Sequence, residues 1–131
     1  MEPEGVVHVL RRLLQSLVPG GVVVDLLSVP PPETVEVDGE VVGEIDQTLF
    51  FPRALAAAAG LDALTNERLL VQEHDERFSI FVRYPTGADA VEDVAQRTYT
   101  RMPAELARRV AEIAGPVAIR ENCLVRAFRR R

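Results

Sequence analysis

The stretch LLQSLVPGGVVVDLLSV, residues 13–29, contains the end of an apolar helix, a turn and a strand. Pro19 cannot continue helical hydrogen bonding, and Gly20 and Gly21 supply the backbone angles that end a helix. Residues 22–29, VVVDLLSV, follow as a run of β-branched residues and leucines with one charge. Such a run is typical of a strand covered on both faces, so we predict a central strand of a partly parallel sheet.

The residues before this turn carry one apolar stripe. Apolar residues recur three and four positions apart over residues 4–17, which is the spacing of one helix face. They are Val6, Val9, Leu10, Leu13, Leu14 and Leu17. We therefore predict an amphipathic helix with Arg11 and Arg12 facing outward.

The middle of the chain alternates strands with a helix. Residues 33–46 alternate around Asp38-Gly39, which is a strong signal for a two-residue hairpin turn. The segment FFPRALAAAAGL predicts a helix that begins near Pro52 and ends near Gly60. Residues 69–84 predict a second hairpin or a pair of strands, with the chain turning at the acidic EHDE.

The carboxyl-terminal part of the chain predicts two helices and a strand. Thr86 and Asp89 have the spacing of a capping box at a helix start. The segment MPAELARRVAEIAG, residues 102–115, predicts the next helix. Residues 116–130 predict a closing strand with alternating faces. We expect the inward face to hold Val117, Ile119, Cys123 and Val125, and the outward face to hold Arg120, Asn122 and Arg126.

Composition indicates a soluble globular protein. The 131 residues are 47% hydrophobic and 27% charged, enough for one core and too few for two ordinary domains. We predict a single domain over residues 1–131, of α/β (α+β) class, with helices packed on a mixed sheet. No apolar run approaches the roughly 20 residues that cross a bilayer, and the acidic amino terminus lacks the basic region of a secretory signal. The expected location is cytoplasmic.

Charge and cysteine content exclude several kinds of partner and cofactor. A net charge of −5 gives the chain no electrostatic footprint for nucleic acid. A single cysteine, Cys123, excludes an intramolecular disulfide and a multi-cysteine zinc site. His74 lies in QEHDER, where neighbouring side chains of a strand diverge, so we interpret it as part of a polar hairpin tip rather than a metal ligand. We expect no nucleic acid, no membrane and no metal.

The segment around the Pro-Gly-Gly turn resembles a known enzyme family. Leu17-Val18-Pro19-Gly20-Gly21 is similar to the Leu-x-Pro-Gly-Gly turn that feeds the fifth strand of class I S-adenosylmethionine-dependent methyltransferases. The resemblance implies the carboxyl half of that Rossmann-like fold: a helix at 51–60, a strand at about 77–84, and a closing antiparallel strand at about 117–128. The family binds its cofactor with a Gly-rich turn and an acidic residue. No G-x-G-x-x-G pattern occurs here, so we expect no cofactor and assign no cofactor-binding residue.

Candidate site residues cluster where strands are expected to end. Ser28, Asp46, Gln47 and Tyr84 lie near predicted carboxyl ends of strands or in the following loops, where open α/β sheets place ligands. We predict that they line a possible ligand pocket. No Ser-His-Asp set, Cys-His pair or nucleophile elbow is present, so no catalytic residue is assigned.

Asp25 is a possible buried polar site. A carboxylate in a covered strand must be paired, hydrogen-bonded or raised in pKa. The structural interpretation is an ion pair with an arginine of the last strand, Arg126 or Arg120. The functional interpretation is a polar site, because such residues also occur at active sites.

Three hypotheses for function follow. The first is a non-catalytic interaction or structural module related to the methyltransferase carboxyl half. The long side of its opening strand would lack a partner, which predicts a homodimer or a protein partner that covers this strand edge. The second is the substrate-recognising half of a split or truncated methyltransferase whose cofactor half lies elsewhere. The third is a small-ligand-binding module that uses the pocket near Ser28, Asp46 and Tyr84.

Overall fold

Nine helices and strands are present in the computed structural model, which describes residues 3–131 without the side chains at positions 3, 4, 6 and 7. In chain order they are α1 (Pro3–Ser16), β1 (Val22–Ser28), β2 (Thr34–Val37), β3 (Glu40–Glu44), α2 (Phe50–Asn66), β4 (Leu70–Tyr84), α3 (Gly87–Ala95), α4 (Ala104–Ala111) and β5 (Val117–Arg130). The described strands form one antiparallel sheet of five strands. The predicted mixed α/β class with helices packed beside a sheet is therefore confirmed. None of the described helices is long and apolar enough to cross a membrane.

The opening strand differs from its prediction in two ways. β1 lies at one end of the strand order β1-β5-β2-β3 and pairs with β5 alone among the described strands. The sheet is antiparallel, so the predicted parallel neighbours are absent from the described residues. Val22, Val24 and Leu26 are exposed, while the residues between them are half-buried. The prediction of a strand covered on both faces is wrong, because an apolar run does not distinguish a covered strand from an edge strand with an uncovered apolar face.

The chain divides into two compact units. Unit 1 comprises the described residues through Leu27, Pro52–Arg77 and Leu124–Arg131, and unit 2 comprises Ser28–Phe51 and Phe78–Cys123. In unit 1, β5 lies between β1 and the first half of β4; in unit 2, it lies between β2 and the second half of β4. Each unit has its own apolar core.

The core of unit 1 joins α1 and α2 to the sheet. Its buried residues are Leu14, Leu61, Leu64, Leu70 and Phe128. The prediction that α2 ends near Gly60 is wrong: Gly60 is buried inside the helix, which continues to Asn66. Leu61 and Leu64 explain the extension, because they place one more helical turn against the core.

Unit 2 contains the predicted hairpin. β2 and β3 are antiparallel, and Asp38 and Gly39 both have positive φ angles, 51° and 80°. Two successive positive φ values are typical of the type I′ turn that suits a two-residue hairpin. The hairpin predicted from Asp38-Gly39 is therefore confirmed, and it brings Val35 into the buried core of this unit.

Helices α3 and α4 cover this core. Thr86 caps α3: its hydroxyl oxygen accepts the backbone N–H of Asp89 at 3.3 Å, so the predicted cap is confirmed. The helices approach closely at Gly87, where an added Cβ atom would lie 1.7 Å from the carbonyl oxygen of Val110. Glycine at this position is therefore required by the packing of α3 on α4.

The segment predicted as a second hairpin is one continuous strand. β4 runs from Leu70 to Tyr84, and the EHDE segment lies within it rather than at a turn. EHDE contains no glycine, proline or asparagine to reverse the chain. In unit 1, Glu73 of β4 pairs with Arg129 of β5, and this cross-strand pair helps to keep the segment extended.

The closing strand is confirmed, but its alternation changes along its length. In unit 2 the buried residues of β5 are odd-numbered, Val117, Ile119 and Cys123; in unit 1 they are Arg126 and Phe128. The prediction that Arg126 faces outward is therefore wrong. Arg126 is buried because its guanidinium pairs with the carboxylates of Asp25 and Asp62 within unit 1.

Candidate functional site

The four predicted pocket residues fall in three places within unit 2. Ser28 and Gln47 line one cavity of about 440 Å³, which we call the Gln47 cavity. Asp46 lines a second cavity of about 600 Å³. Tyr84 is buried and lines neither of these cavities. The structure thus brings Ser28 and Gln47 together and separates them from the other two side chains.

The Gln47 cavity combines carboxylates, hydrogen-bond donors and aromatic rings. Its lining residues are Ser28, Glu33, Gln47, Phe50, Glu121 and the segment 97–100. Segment 97–100 also lines the larger cavity, so it forms a wall between the two. The end of β1, the segments on either side of the hairpin, the start of α2, β5 and the loop after α3 therefore all contribute to one polar pocket.

Glu33 and Arg97 form the central ion pair of this cavity. The Glu33 side chain is 4% exposed, and Arg97 Nη1 lies 3.1 and 3.0 Å from its two carboxylate oxygens. Burial raises the pKa of Glu33 and outweighs the lowering by Arg97, while the charges of Glu121 and Asp93 raise it further. The raised pKa of Glu33 thus reflects its burial first and the neighbouring carboxylates second.

Arg97 also links this pair to Tyr84. Arg97 Nη2 lies 3.6 Å from Asp93 Oδ2, which accepts a 2.5 Å hydrogen bond from the Tyr84 hydroxyl. Burial lowers the pKa of Arg97, but Glu33, Tyr84 and Asp93 together raise it above its ordinary value. Burial and the hydrogen bond to Asp93 raise the pKa of Tyr84 to about 12. Tyr84 thus acts on the cavity through Asp93 and Arg97.

Gln47 is held in one orientation and offers a donor. Gln47 is 4% exposed, and its side-chain Oε1 accepts a hydrogen bond from the backbone N–H of Glu33 at 2.8 Å. A backbone N–H can only donate, so the Gln47 atom that faces the N–H of Glu33 is the amide oxygen. The amide nitrogen, Nε2, is therefore the atom on the other side of the side-chain amide. Among the described residues the Gln47 Nε2 group has no hydrogen-bond partner.

Glu121 supplies the second carboxylate of the cavity. It lies on β5 and is half-buried, and its Oε1 accepts the hydroxyl of Ser28. No arginine pairs with Glu121 in the described part of the chain, in contrast to Glu33. Glu121 is therefore the less compensated of the two carboxylates.

The larger cavity is mainly apolar. Its apolar walls include Val91, Val94 and Met102, and its polar lining includes Asp46 and Arg101 as well as segment 97–100. Asp46 accepts hydrogen bonds from the side chain and backbone N–H of Thr48, which lower its pKa, and Arg101 lowers it further. Asp46 is thus a loop-ordering group with its oxygens already occupied.

Asp25 lies in unit 1, where Arg126 is its partner. Arg126 Nη2 lies 3.0 Å from Asp25 Oδ2, and Arg126 Nη1 lies 2.8 Å from Asp62 Oδ1. Of the two arginines considered from sequence, Arg120 instead binds Glu36 in unit 2 at 2.8 Å. The arrangement around Asp25 is therefore an ion-pair cluster in which Asp25 and Asp62 share the guanidinium of Arg126.

The remaining candidates offer little chemistry. Cys123 is buried, and burial together with Glu121 and Glu33 raises the pKa of its thiol, which disfavours the nucleophilic thiolate. His74 lies on β4 beside Glu76, at 3.5 Å, and both side chains are exposed. Within residues 3–131 no group of three or more His, Cys, Asp and Glu side chains is placed to hold a metal ion.

Sequence reasoning missed Glu33, Arg97 and Glu121. Glu33 follows three prolines, and Glu121 lies between Arg120 and Asn122, so both resemble exposed charges in the sequence. One available signal was the position of Glu33 as the first residue of the predicted hairpin segment, which places it beside the core. Nothing in the sequence indicated that Arg97 would be its partner, because 64 residues separate them.

No family model, curated protein or solved structure matches this chain. The likeness to the methyltransferase carboxyl half therefore stays a prediction, and function must be argued from the geometry above.

Proposed function

We propose that the chain is a non-catalytic interaction module that works as a homodimer, joined through the outer edge of β1. The observation that carries the proposal is the uncovered edge strand itself: among the described strands β1 pairs with β5 alone, and Val24 and Leu26 are 66% and 63% exposed. An apolar edge strand with free backbone N–H and C=O groups is a template for pairing with another strand. The relation to the methyltransferase carboxyl half stays part of this proposal and is supported by the Leu17–Gly21 turn.

Symmetry limits how two copies of β1 can pair. A two-fold axis perpendicular to the sheet leaves each side chain on the same face of the sheet in both copies. A residue of one β1 strand must therefore lie opposite the same residue of the other copy, or opposite a residue an even number of positions away. The register that overlaps β1 most fully places Asp25 opposite Asp25, and like charges directly opposite each other are destabilising. The register centred on Val24 avoids this and pairs Val22 with Leu26 of the second copy.

Unit 1 has a second exposed apolar surface, on α1. α1 packs on the core of unit 1 through Leu10 and Leu14, while Val9 and Leu13 remain exposed. Pairing of one short strand buries less than the roughly 800 Å² per partner of a stable interface. The exposed face of α1 is the additional apolar surface that such a dimer would bury.

The first test is the mass in solution of wild type and two matched variants. We expect light scattering at micromolar concentration to give twice the chain mass of 14.5 kDa. Val24→Lys should give a monomer, because it places two ammonium groups opposite each other on the axis. Val41→Lys is the control, since Val41 is 62% exposed on β3 and lies outside the proposed interface. A monomeric wild type, or equal behaviour of the two variants, would contradict the proposal.

The second test is the register. In a Cys123→Ser background, Val24→Cys should form an intermolecular disulfide, because Val24 faces its own copy across the axis. Val22→Cys should not, since its partner is Leu26. The reverse result would show that the copies meet in another way.

A further inference from the structure

The Gln47 cavity has the size and composition of a small-molecule site. Its volume of about 440 Å³ falls within the range of roughly 300–1,000 Å³ typical of ligand pockets. Phe50 and Tyr99 supply aromatic surface, and Glu33, Gln47 and Glu121 supply polar groups. All of these residues belong to unit 2.

The charge balance of the cavity favours a cation. Glu33 and Glu121 line it together with one guanidinium, that of Arg97, which also lies 3.6 Å from Asp93 outside the cavity, so carboxylates outnumber the positive charge here. A positive group on a ligand would restore neutrality, and aromatic faces add to the attraction for organic cations. Within the described residues no set of three acidic, His or Cys ligands converges for a metal ion, which leaves an organic cation.

Gln47 adds a requirement of its own. Its amide is nearly fully buried, its oxygen is occupied by the backbone of Glu33, and its Nε2 group is without a partner in the described structure. Nε2 is not among the buried unpaired side-chain atoms of the described residues, so it can donate a hydrogen bond to a molecule in the cavity. A ligand with an acceptor as well as a positive charge would use both the amide and the carboxylates.

We propose that the Gln47 cavity binds a small amine that also carries a hydroxyl or carbonyl acceptor, with its ammonium group on Glu121 and its acceptor on Gln47 Nε2. Glu121 is the ammonium partner because Glu33 already gives both oxygens to Arg97. The lining residues belong to unit 2, and ligand binding is measured separately from the mass in solution, so the site is tested independently of the homodimer.

The test compares amines with neutral molecules of the same shape. We expect glucosamine and ethanolamine to raise the melting temperature and to shift amide signals of the lining residues in an NMR titration. Glucose and ethylene glycol, which lack the ammonium group, should do neither. Failure of both amines, or equal effects of the neutral pair, would overturn the proposal.

Two matched variants locate the charge. Glu121→Gln keeps the shape of the side chain and should weaken amine binding at least about tenfold, as expected for loss of a charge-assisted hydrogen bond. Glu92→Gln removes an equal charge from an exposed position of α3 that lines neither cavity, and should leave affinity unchanged. Equal weakening by both variants would show a general attraction to an acidic protein and would refute a site at Glu121.

Discussion

At the scale of single residues, Arg126 shows how an ion-pair cluster organises the core of unit 1. The residue is 7% exposed, and its guanidinium reaches Asp25 on β1 as well as Asp62 and the carbonyl of Ala58 on α2. Its guanidinium carbon also lies 5.0 Å from the ring centroid of Phe128. One side chain thus connects β5 to both a strand and a helix, and removing it leaves carboxylates without their partner.

We expect Arg126→Met to lower the free energy of unfolding by about 3 kcal/mol, because breaking a buried pair leaves uncompensated charge. The control is Arg129→Met on the same strand. Arg129 pairs with Glu73, but both side chains are well exposed, so its loss should lower the free energy of unfolding much less than the loss of Arg126. Urea unfolding measures both, and equal costs would contradict the role assigned to Arg126. Asp25→Leu combined with Arg126→Met should recover part of the loss.

At the scale of elements, the packing of α3 on α4 depends on the absence of a side chain. A Cβ atom at Gly87 would lie 1.7 Å from the backbone oxygen of Val110, which cannot rotate away as a side chain would. We expect Gly87→Ala to destabilise by about 2 kcal/mol or more, since the helices must separate. Gly115→Ala is the control, because no atom lies within 4 Å of the added methyl group. Both substitutions lower the conformational entropy of the unfolded chain by the same amount. Equal melting temperatures for the two variants would therefore contradict the close approach of Gly87 to Val110.

Elements were predictable from sequence where a local signal defines them. Asp38-Gly39 specifies its own turn, and Thr86 specifies a helix start, because both act through neighbouring backbone. The length of β4 was not predictable: nothing within EHDE shows that β5 will pair with it along its length. The edge position of β1 and the burial of Arg126 were not predicted, for the same reason. Both depend on pairing between β1 and β5, whose residues lie about 100 positions apart in the sequence. The candidate site shares this limit, because Ser28 and Gln47 were identified but the Glu33–Arg97 pair was not.

At the scale of the whole molecule, the amino-acid composition simplifies the dependence of stability on pH in the alkaline range. All 15 basic residues are arginine, so no lysine titrates near pH 10. The pKa of Tyr84 is raised from 10.0 to about 12 by burial and by Asp93, and the pKa of the Cys123 thiol is raised above 9.0 by burial. Loss of stability in this range therefore depends on very few groups.

The sign of the effect follows from linkage. A raised pKa means that the folded state keeps its proton where the unfolded chain has lost it, so stability falls as pH rises. For Tyr84 this loss begins near pH 10 and is complete above about 12. In a Cys123→Ser background, urea unfolding should show a decline over this range that is absent from the further variant Tyr84→Phe. Tyr99→Phe leaves Tyr84 as the only tyrosine, so its tyrosinate absorbance should rise with a midpoint at about pH 12. A midpoint near 10 would mean that Tyr84 is solvated, and the chain from Tyr84 through Asp93 to Arg97 would then not hold Glu33 in place.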